Sequence, residues 1–145
     1  MYEQLKLENQ LCFRFYTVSR LITQAYRPFL SRLGVTYPQY LVLMVLWEKD
    51  AQPVNDIAKR LYLETNTVTP LLKRMEQDGL VVRSQGEKDS RQVIVSLTGK
   101  GESLEQSART IPAEMGESYT CKEISPEVIP EWFNMLDSLT KALKK

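Results

Sequence analysis

The fold is decided by residues 61–98, which read LYLETNTVTPLLKRMEQDGLVVRSQGEKDSRQVIVSLT. Thr65 has the side chain of a helix N-cap, and apolar residues recur after it at helical spacing until Gly79, a typical helix terminator. Two segments rich in β-branched residues follow, joined by a polar, charged tip. The pattern therefore predicts a helix and then a β-hairpin, with strands at residues 80–83 and 92–97 and a tip at residues 86–90.

A short helix is predicted just before this stretch, at residues 54–61, with its apolar residues on one face. Two short helices with a tight connection, followed by a two-stranded ribbon, form a winged helix-turn-helix. In that motif the first helix packs across the second, and the N-terminal residues of the second reach base edges in the major groove. The sequence therefore predicts a protein that binds duplex DNA.

Side chains suited to DNA lie where this motif would place them. Hydroxyl and amide groups at the start of the second helix suit base edges, and basic groups further along it suit phosphates. Basic groups at the hairpin tip can reach an adjacent minor groove, where Asp89 is placed to orient the guanidinium of Arg91. Taken singly, each of these residues fits helix capping or solvated surface better than DNA binding, and only the order of the elements favours DNA. The predicted DNA-binding residues are Thr65, Asn66, Thr67, Thr69, Lys73, Arg74, Lys88, Asp89 and Arg91.

Upstream of this module, apolar periodicity predicts one long amphipathic helix at residues 6–30 and a break at Gly34. Thr36 and Gln39 then form a capping box for a helix at residues 37–48, which is apolar nearly all round and should be buried.

Downstream, the sequence predicts a helix from Thr98 to about Glu117, and Ser125 has the chemistry of an N-cap for a last helix. The apolar face of that last helix carries Trp132, Leu136, Leu139 and Leu143. The predicted fold class is mainly α with a small β-hairpin wing: a winged helix-turn-helix with N- and C-terminal helices.

The composition fits one globular domain of 145 residues, with 43% hydrophobic and 26% charged residues. A net charge of +1 gives no support to nucleic-acid binding, so that prediction depends on the pattern. No apolar run is long enough to span a membrane, and the N-terminus lacks the features of a signal peptide. We therefore expect a cytoplasmic protein with no membrane association and with reduced thiols.

The chain has no histidine, which removes the commonest general base and a common metal ligand. Its two cysteines, Cys12 and Cys121, are far apart and do not suggest a zinc site. The sequence predicts neither a metal nor a cofactor and does not indicate an enzyme.

Cys12 begins a polar stripe on the predicted first helix that continues through Tyr16, Ser19, Thr23 and Tyr26 at helical spacing. Tyrosine hydroxyls beside a thiol can stabilise its thiolate, and a thiolate attacks peroxides to give sulfenic acid. A buried structural cysteine remains equally compatible with the stripe, because cysteine is often buried.

Four strings in one order resemble the MarR family, and within it the organic-hydroperoxide-sensing repressors of the OhrR type. They are QLCFRFYTVSR at residues 10–20, LGVTYPQYLVLMVLWE at 33–48, LYLETNTVTPLLKRMEQDGLVVR at 61–83 and EKDSRQVIVSLT at 87–98. The resemblance implies a single domain over residues 1–145 that forms a homodimer. Residues 1–35 and 99–145 would supply dimerisation helices, and residues 36–98 would form the DNA-binding region.

The resemblance also assigns the cysteine and its neighbours. Cys12 matches the peroxide-reactive cysteine, Tyr16 and Tyr26 match tyrosines that hydrogen-bond to it, and Tyr37 is a third contributor. Cys121 matches by position the cysteine that in some members resolves the sulfenic acid, whereas other members use a small external thiol. Asn66 departs from the glycine that is frequent at the start of the recognition helix.

The function that follows is a repressor that binds an inverted-repeat operator in duplex DNA and releases it when an organic hydroperoxide oxidises Cys12. The alternative is a repressor of the same fold that senses a small phenolic or aromatic ligand without redox chemistry. A thiol peroxidase and a purely structural helical dimer are more distant alternatives.

Overall fold

The computed structural model describes residues 1–119 and 124–144 and is mainly helical in these ranges. Its helices are α1 Leu11–Ala25, α2 Arg27–Ser31, α3 Tyr37–Glu48, α4 Val54–Arg60, α5 Thr65–Gln77, α6 Gly99–Ala108, α7 Ile111–Tyr119 and α8 Ile129–Leu143. Its strands are β1 Gln52–Pro53, β2 Val81–Gln85 and β3 Val93–Leu97. The predicted fold class, mainly α with a small wing, is confirmed.

The predicted hairpin is part of a three-stranded antiparallel sheet with strand order β1-β3-β2. In the hairpin Val81 pairs with Leu97 and Arg83 pairs with Val95. The short strand β1, which was not predicted, pairs with the other edge of β3. This sheet fixes the hairpin to the segment that precedes α4.

The first compact unit, Met1–Arg109, has its core around α3. The capping box predicted for α3 is present, because the Thr36 hydroxyl accepts from the Gln39 backbone N–H and the Gln39 side chain accepts from the Thr36 backbone N–H. Fully buried side chains from α3, α4, α5 and the hairpin complete this core: Val42, Leu43, Leu46, Ile57, Val68, Leu72, Met75, Val81 and Val95. Helix α5 and the β2–β3 hairpin therefore pack directly on a close-packed interior.

The prediction of a single helix at residues 6–30 is wrong at its start and near its end. The side-chain amides of Asn9 and Gln10 donate to backbone carbonyls six residues earlier, and residues 3–9 form two 3-10 turns. Near its end the helix is interrupted after Ala25. Pro28 has no N–H to donate four residues back, and its ring crowds that carbonyl, so α2 starts as a separate helix.

The single helix predicted from Thr98 to about Glu117 is also two helices. Thr98 is the N-cap of α6, as expected, and its hydroxyl accepts from the Gly101 N–H. Helix α6 ends at Ala108, since Pro112 cannot donate to the Ala108 carbonyl. Ser125 precedes a 3-10 turn without a side-chain cap, and α8 begins at Ile129.

The junction between the wing and α6 is tightly packed. The Thr98 hydroxyl donates to the Gly79 carbonyl at 2.6 Å, and the Thr98 N–H donates to the Leu80 carbonyl at 3.1 Å. The indole N–H of Trp47 in α3 donates to the Gly101 carbonyl at 3.0 Å. A Cβ atom at Gly101 would overlap the Leu80 carbonyl oxygen. Glycine is therefore required for this approach of the two backbones.

Two helices present apolar faces that one chain leaves uncovered. Helix α1 has no buried residue, and Leu11, Val18 and Ile22 are exposed on it. In the second compact unit, Thr110–Lys145, helix α7 buries Ile111 and Met115, whereas none of the residues of α8 is buried. Among the described residues, no helix is both long and apolar enough to cross a membrane.

Candidate functional site

The recognition helix α5 separates its residues into a packed face and an open face. Val68, Leu72 and Met75 are fully buried, and the opposite side carries most of the predicted DNA-binding residues. Thr65 was predicted as the N-cap, but the N-cap is Glu64 and Thr65 is the first helical residue. The exposed residues of the open face are Thr65, Asn66, Thr67, Lys73 and Arg74, with Thr69 half-buried.

Two threonine hydroxyls of α5 already donate within the protein. Thr69 Oγ1 donates to the Thr65 carbonyl at 2.9 Å, one turn back along the helix. Thr65 Oγ1 donates to the side-chain carbonyl oxygen of Asn55 in α4 at 3.0 Å, which ties the two helices together. Each hydroxyl therefore remains an acceptor, suited to the exocyclic amino groups of adenine or cytosine rather than to phosphate oxygens.

The tip of the wing holds an acid–base pair. Asp89 Oδ1 accepts from the Arg91 backbone N–H at 3.0 Å and from its Nε at 3.2 Å. These bonds, the backbone bond first, hold the pKa of the Asp89 carboxyl below its usual range, so it stays ionised at neutral pH. The Arg91 side chain is 90% exposed, and Lys88 is exposed beside it. The wing thus presents a guanidinium whose direction a carboxylate fixes.

We expect Arg91→Ala to weaken DNA binding and to reduce its salt dependence. If Arg91 contacts one phosphate, the slope of log K against log salt should fall by about 0.9. Fluorescence anisotropy at several salt concentrations measures that slope. Arg109→Ala removes an equal charge at the end of α6 and should leave the slope unchanged. Equal slopes for wild type and Arg91→Ala would remove the wing from the contact set.

A cleft of about 490 Å³ lies between α5 and the wing. Its walls include Thr65 and Thr69 on one side and Asp89 and Arg91 on the other. Arg83 of β2 also lines it and was not among the predicted site residues. Arg83 lies on the same strand face as the buried Val81, two residues earlier, but the adjacent Val81 and Val82 gave the sequence no alternation that identified this face as inward.

Cys12 is the second residue of α1 and is exposed. Tyr16 lies one turn further along α1 and is 65% exposed. Cys12 is therefore not a buried structural cysteine within one chain. Cys121 lies outside the described residues.

Tyr26 and Tyr37 lie together in an aromatic cluster with Tyr40. The Tyr26 and Tyr37 ring centres are 4.8 Å apart, and Tyr40 lies 6.0 Å from Tyr26. Burial raises the pKa of Tyr26, and burial followed by the proximity of Tyr26 raises the pKa of Tyr37. Both phenols therefore stay protonated at neutral pH and can donate hydrogen bonds. Within residues 1–119, neither donates to the Cys12 thiol.

Comparison with known proteins identifies relatives along most of the chain. The model of the MarR family matches residues 35–93, which include α3, α4 and α5. The chain is 42% identical to the organic hydroperoxide resistance transcriptional regulator of Bacillus subtilis (strain 168), over 139 residues that cover 95% of each protein. It is 41% identical to the regulator MgrA of Staphylococcus aureus over 105 residues, covering 72% of this chain and 71% of MgrA.

Solved structures of AbfR, a protein of Staphylococcus epidermidis, extend the likeness to the fold. Reduced AbfR bound to DNA is 40% identical with a TM-score of 0.78, covering 97% of this chain and 96% of AbfR. Disulfide-formed AbfR is 41% identical with a TM-score of 0.61, covering 95% of each chain. By sequence identity over nearly its whole length, and by its winged helix-turn-helix fold, the chain belongs to the MarR family of transcriptional regulators.

Proposed function

We propose that this chain is a homodimeric repressor that binds an inverted-repeat operator and releases it when an organic hydroperoxide oxidises Cys12. The observation that carries the proposal is Cys12 itself, an exposed thiol at the N-terminal end of α1 in a chain that shares a DNA-reading module with its relatives. The name of the Bacillus subtilis relative, an organic hydroperoxide resistance regulator, supports the effector class. We propose that the protein is cytoplasmic, because a repressor must reach its operator on the chromosome.

The apolar faces that one chain leaves exposed support the proposed dimer. Exposed apolar faces on α1 and α8 are typical of surfaces that a second protein covers. A two-fold dimer presents two recognition helices to half-sites about one helical turn apart. Residues 1–35 and 99–145 would provide the dimer contacts, and residues 36–98 would bind DNA.

The chemical step needs only Cys12 and the hydroperoxide ROOH. The thiolate sulfur attacks the terminal peroxide oxygen, the O–O bond breaks, and the alkoxide takes a proton and leaves as the alcohol ROH. Cys12 becomes a sulfenic acid. A second thiol then attacks its sulfur, which forms a disulfide and releases water.

The tyrosines are proposed to support the sulfur across the dimer. Tyr26 and Tyr37 are protonated donors that do not bond to Cys12 within residues 1–119. Dimerisation through the exposed side of α1 would bring the tyrosines of a second copy toward the thiol. Tyr16, one turn from Cys12, would contribute from the same helix.

The conformation of the chain fits the DNA-competent state, since overoxidised AbfR bound to DNA is as similar to it as reduced AbfR bound to DNA, each with a TM-score of 0.78. The chain is more similar to reduced AbfR bound to DNA than to disulfide-formed AbfR, with TM-scores of 0.78 and 0.61. We propose that disulfide formation moves the two recognition helices out of register with successive major grooves. The coupling expected for such a switch is about 1–3 kcal/mol, or about 5–150-fold in affinity.

The test is a binding assay with a short duplex that the wild-type protein has selected from a randomised pool. The reduced protein should bind, cumene hydroperoxide should release it, and dithiothreitol should restore binding. Failure to select any duplex at low salt would contradict the DNA-binding proposal and would favour a structural dimer.

We expect Cys121→Ser to abolish an intersubunit disulfide, since Cys121 is the second cysteine of the chain. The oxidised wild type should migrate as a covalent dimer on a non-reducing gel, and the variant should migrate as a monomer. Release by peroxide in the presence of a small thiol should persist in the variant. An oxidised dimer band of unchanged intensity would show that Cys121 is not the resolving thiol.

The second candidate function is a repressor that senses a small aromatic ligand, and the cleft beside α5 favours it. Apolar side chains of Pro53, Val54 and Leu72 line that cleft together with Arg83. Dependence on Cys12 separates the two functions. A phenolic compound that releases DNA from Cys12→Ser protein as well as from wild type would favour the ligand-sensing repressor.

A further inference from the structure

We propose that Arg83 binds a phosphate of the DNA strand that passes between the recognition helix and the wing. The inference deepens the proposed function, because it requires that the chain bind duplex DNA through this module. It assigns a role to a side chain that neither the helix pattern nor the charge pattern identified.

The position of the DNA strand follows from the groove geometry. A recognition helix in the major groove and a wing in the adjacent minor groove are separated by one sugar–phosphate backbone. That backbone must cross the gap between α5 and the wing. The cleft of about 490 Å³ is this gap, with Thr65 and Thr69 on its helix side and Asp89 and Arg91 on its wing side.

Arg83 is held in place inside this cleft. Glu76 Oε2 in α5 accepts a hydrogen bond from the Arg83 backbone N–H at 2.7 Å, and Glu76 Oε1 accepts one from Arg83 Nη2 at 3.4 Å. The Arg83 side chain is 25% exposed, so most of its rotamer freedom is already lost. Its Nε is buried and has no hydrogen-bond partner within the described residues. The guanidinium is thus ordered in advance, and the N–H groups of its Nη1, which make no hydrogen bond within the described residues, keep donor capacity for an anion.

Besides Arg83 and Arg91, the side chains of the cleft that can donate to a phosphate include the neutral amides of Asn55 and Gln92. The hydroxyls of Thr65 and Thr69 donate within the protein and cannot also donate to a phosphate oxygen. The Arg91 guanidinium donates to Asp89 on the wing side of the cleft. Of the two arginines that line the cleft, Arg83 is therefore the more enclosed and the more ordered, whereas Arg91 is exposed at the wing.

The first test is the salt dependence of binding to the selected duplex. Arg83→Gln should reduce the slope of log K against log salt by about 0.9, the value for one phosphate contact. Arg109→Gln removes the same charge from the end of α6 and should leave the slope unchanged. Equal slopes for Arg83→Gln and Arg109→Gln would overturn the proposal. If wild type selects no duplex, the proposed function fails instead.

The second test keeps the inference falsifiable if Arg83→Gln disturbs the wing. Single neutral methylphosphonates are placed at successive backbone positions of the duplex. A methylphosphonate at one position, flanked by the major- and minor-groove contacts, should weaken wild-type binding by at least about tenfold, because a charge-assisted contact is lost there. The same methylphosphonate should leave Arg83→Gln binding unaffected. Arg83→Lys should retain part of that effect. The assignment would be overturned if wild type and Arg83→Gln were equally sensitive to the methylphosphonate at every position. It would also be overturned if benzoate competed with DNA in a way that depends on Arg83 while the methylphosphonate pattern did not depend on Arg83.

Discussion

Protein with the substitution Cys12→Ser is expected to bind operator DNA as tightly as wild type and to remain bound when cumene hydroperoxide is added. Serine has nearly the same size but cannot form a sulfenic acid, so the first chemical step is lost. Wild-type affinity should fall by about 5–150-fold on oxidation, and the variant should not respond.

The matched control for this result is Cys121→Ser, which removes the other thiol of the chain. Fluorescence anisotropy with labelled duplex, before and after peroxide, compares both variants with wild type under one salt condition. The sensor assignment requires the Cys12 variant alone to be unresponsive when a small thiol is present. Release of Cys12→Ser protein by peroxide would refute it, whatever the behaviour of Cys121→Ser.

The second large effect is expected from Gly101→Ala, which should destabilise the folded chain by about 1–3 kcal/mol, the range for overpacked sites. A Cβ atom at this position overlaps the Leu80 carbonyl oxygen, which belongs to backbone and cannot rotate away. Relief would require α6 to move outward, and the hydrogen bond from Trp47 to the Gly101 carbonyl would lengthen. The substitution therefore loosens the junction that holds the wing.

Gly99→Ala provides the control, two residues earlier in the same helix. A Cβ atom at Gly99 meets nothing within 4 Å, and alanine favours helix by up to about 1 kcal/mol in a helix interior. Urea unfolding at one fixed protein concentration should give a lower midpoint for Gly101→Ala and an equal or higher one for Gly99→Ala. Equal midpoints for the two variants would contradict the proposed overlap.

The sequence allowed the central module to be predicted because its signals are local. Thr36 and Gln39 form the predicted capping box, and Gly79 ends α5 with a φ of 74°, a conformation that glycine adopts without strain. The helix predicted at residues 6–30 failed for a different reason. Apolar residues continue at helical spacing through the N-terminal turns. The hydrogen bonds that the side-chain amides of Asn9 and Gln10 donate to the backbone cannot be inferred from that spacing.

The candidate site was predictable where it depends on one element and not where it depends on two. The exposed residues of α5 follow from helical periodicity alone. Arg83 depends on the hairpin register and on Glu76 in the preceding helix, a pairing that periodicity does not reveal. Periodicity likewise cannot distinguish a core face from an interface, so the exposure of α1 became visible only in the structure.

The bond between Trp47 and Gly101 gives the protein a natural spectroscopic probe. The chain has two tryptophans, and Trp132 lies in the separate second unit. With phenylalanine at position 132, the emission of the remaining indole would report solely on the seam between α3 and α6. Loosening of that seam, by heat or by oxidation, could then be followed in real time without attaching a dye.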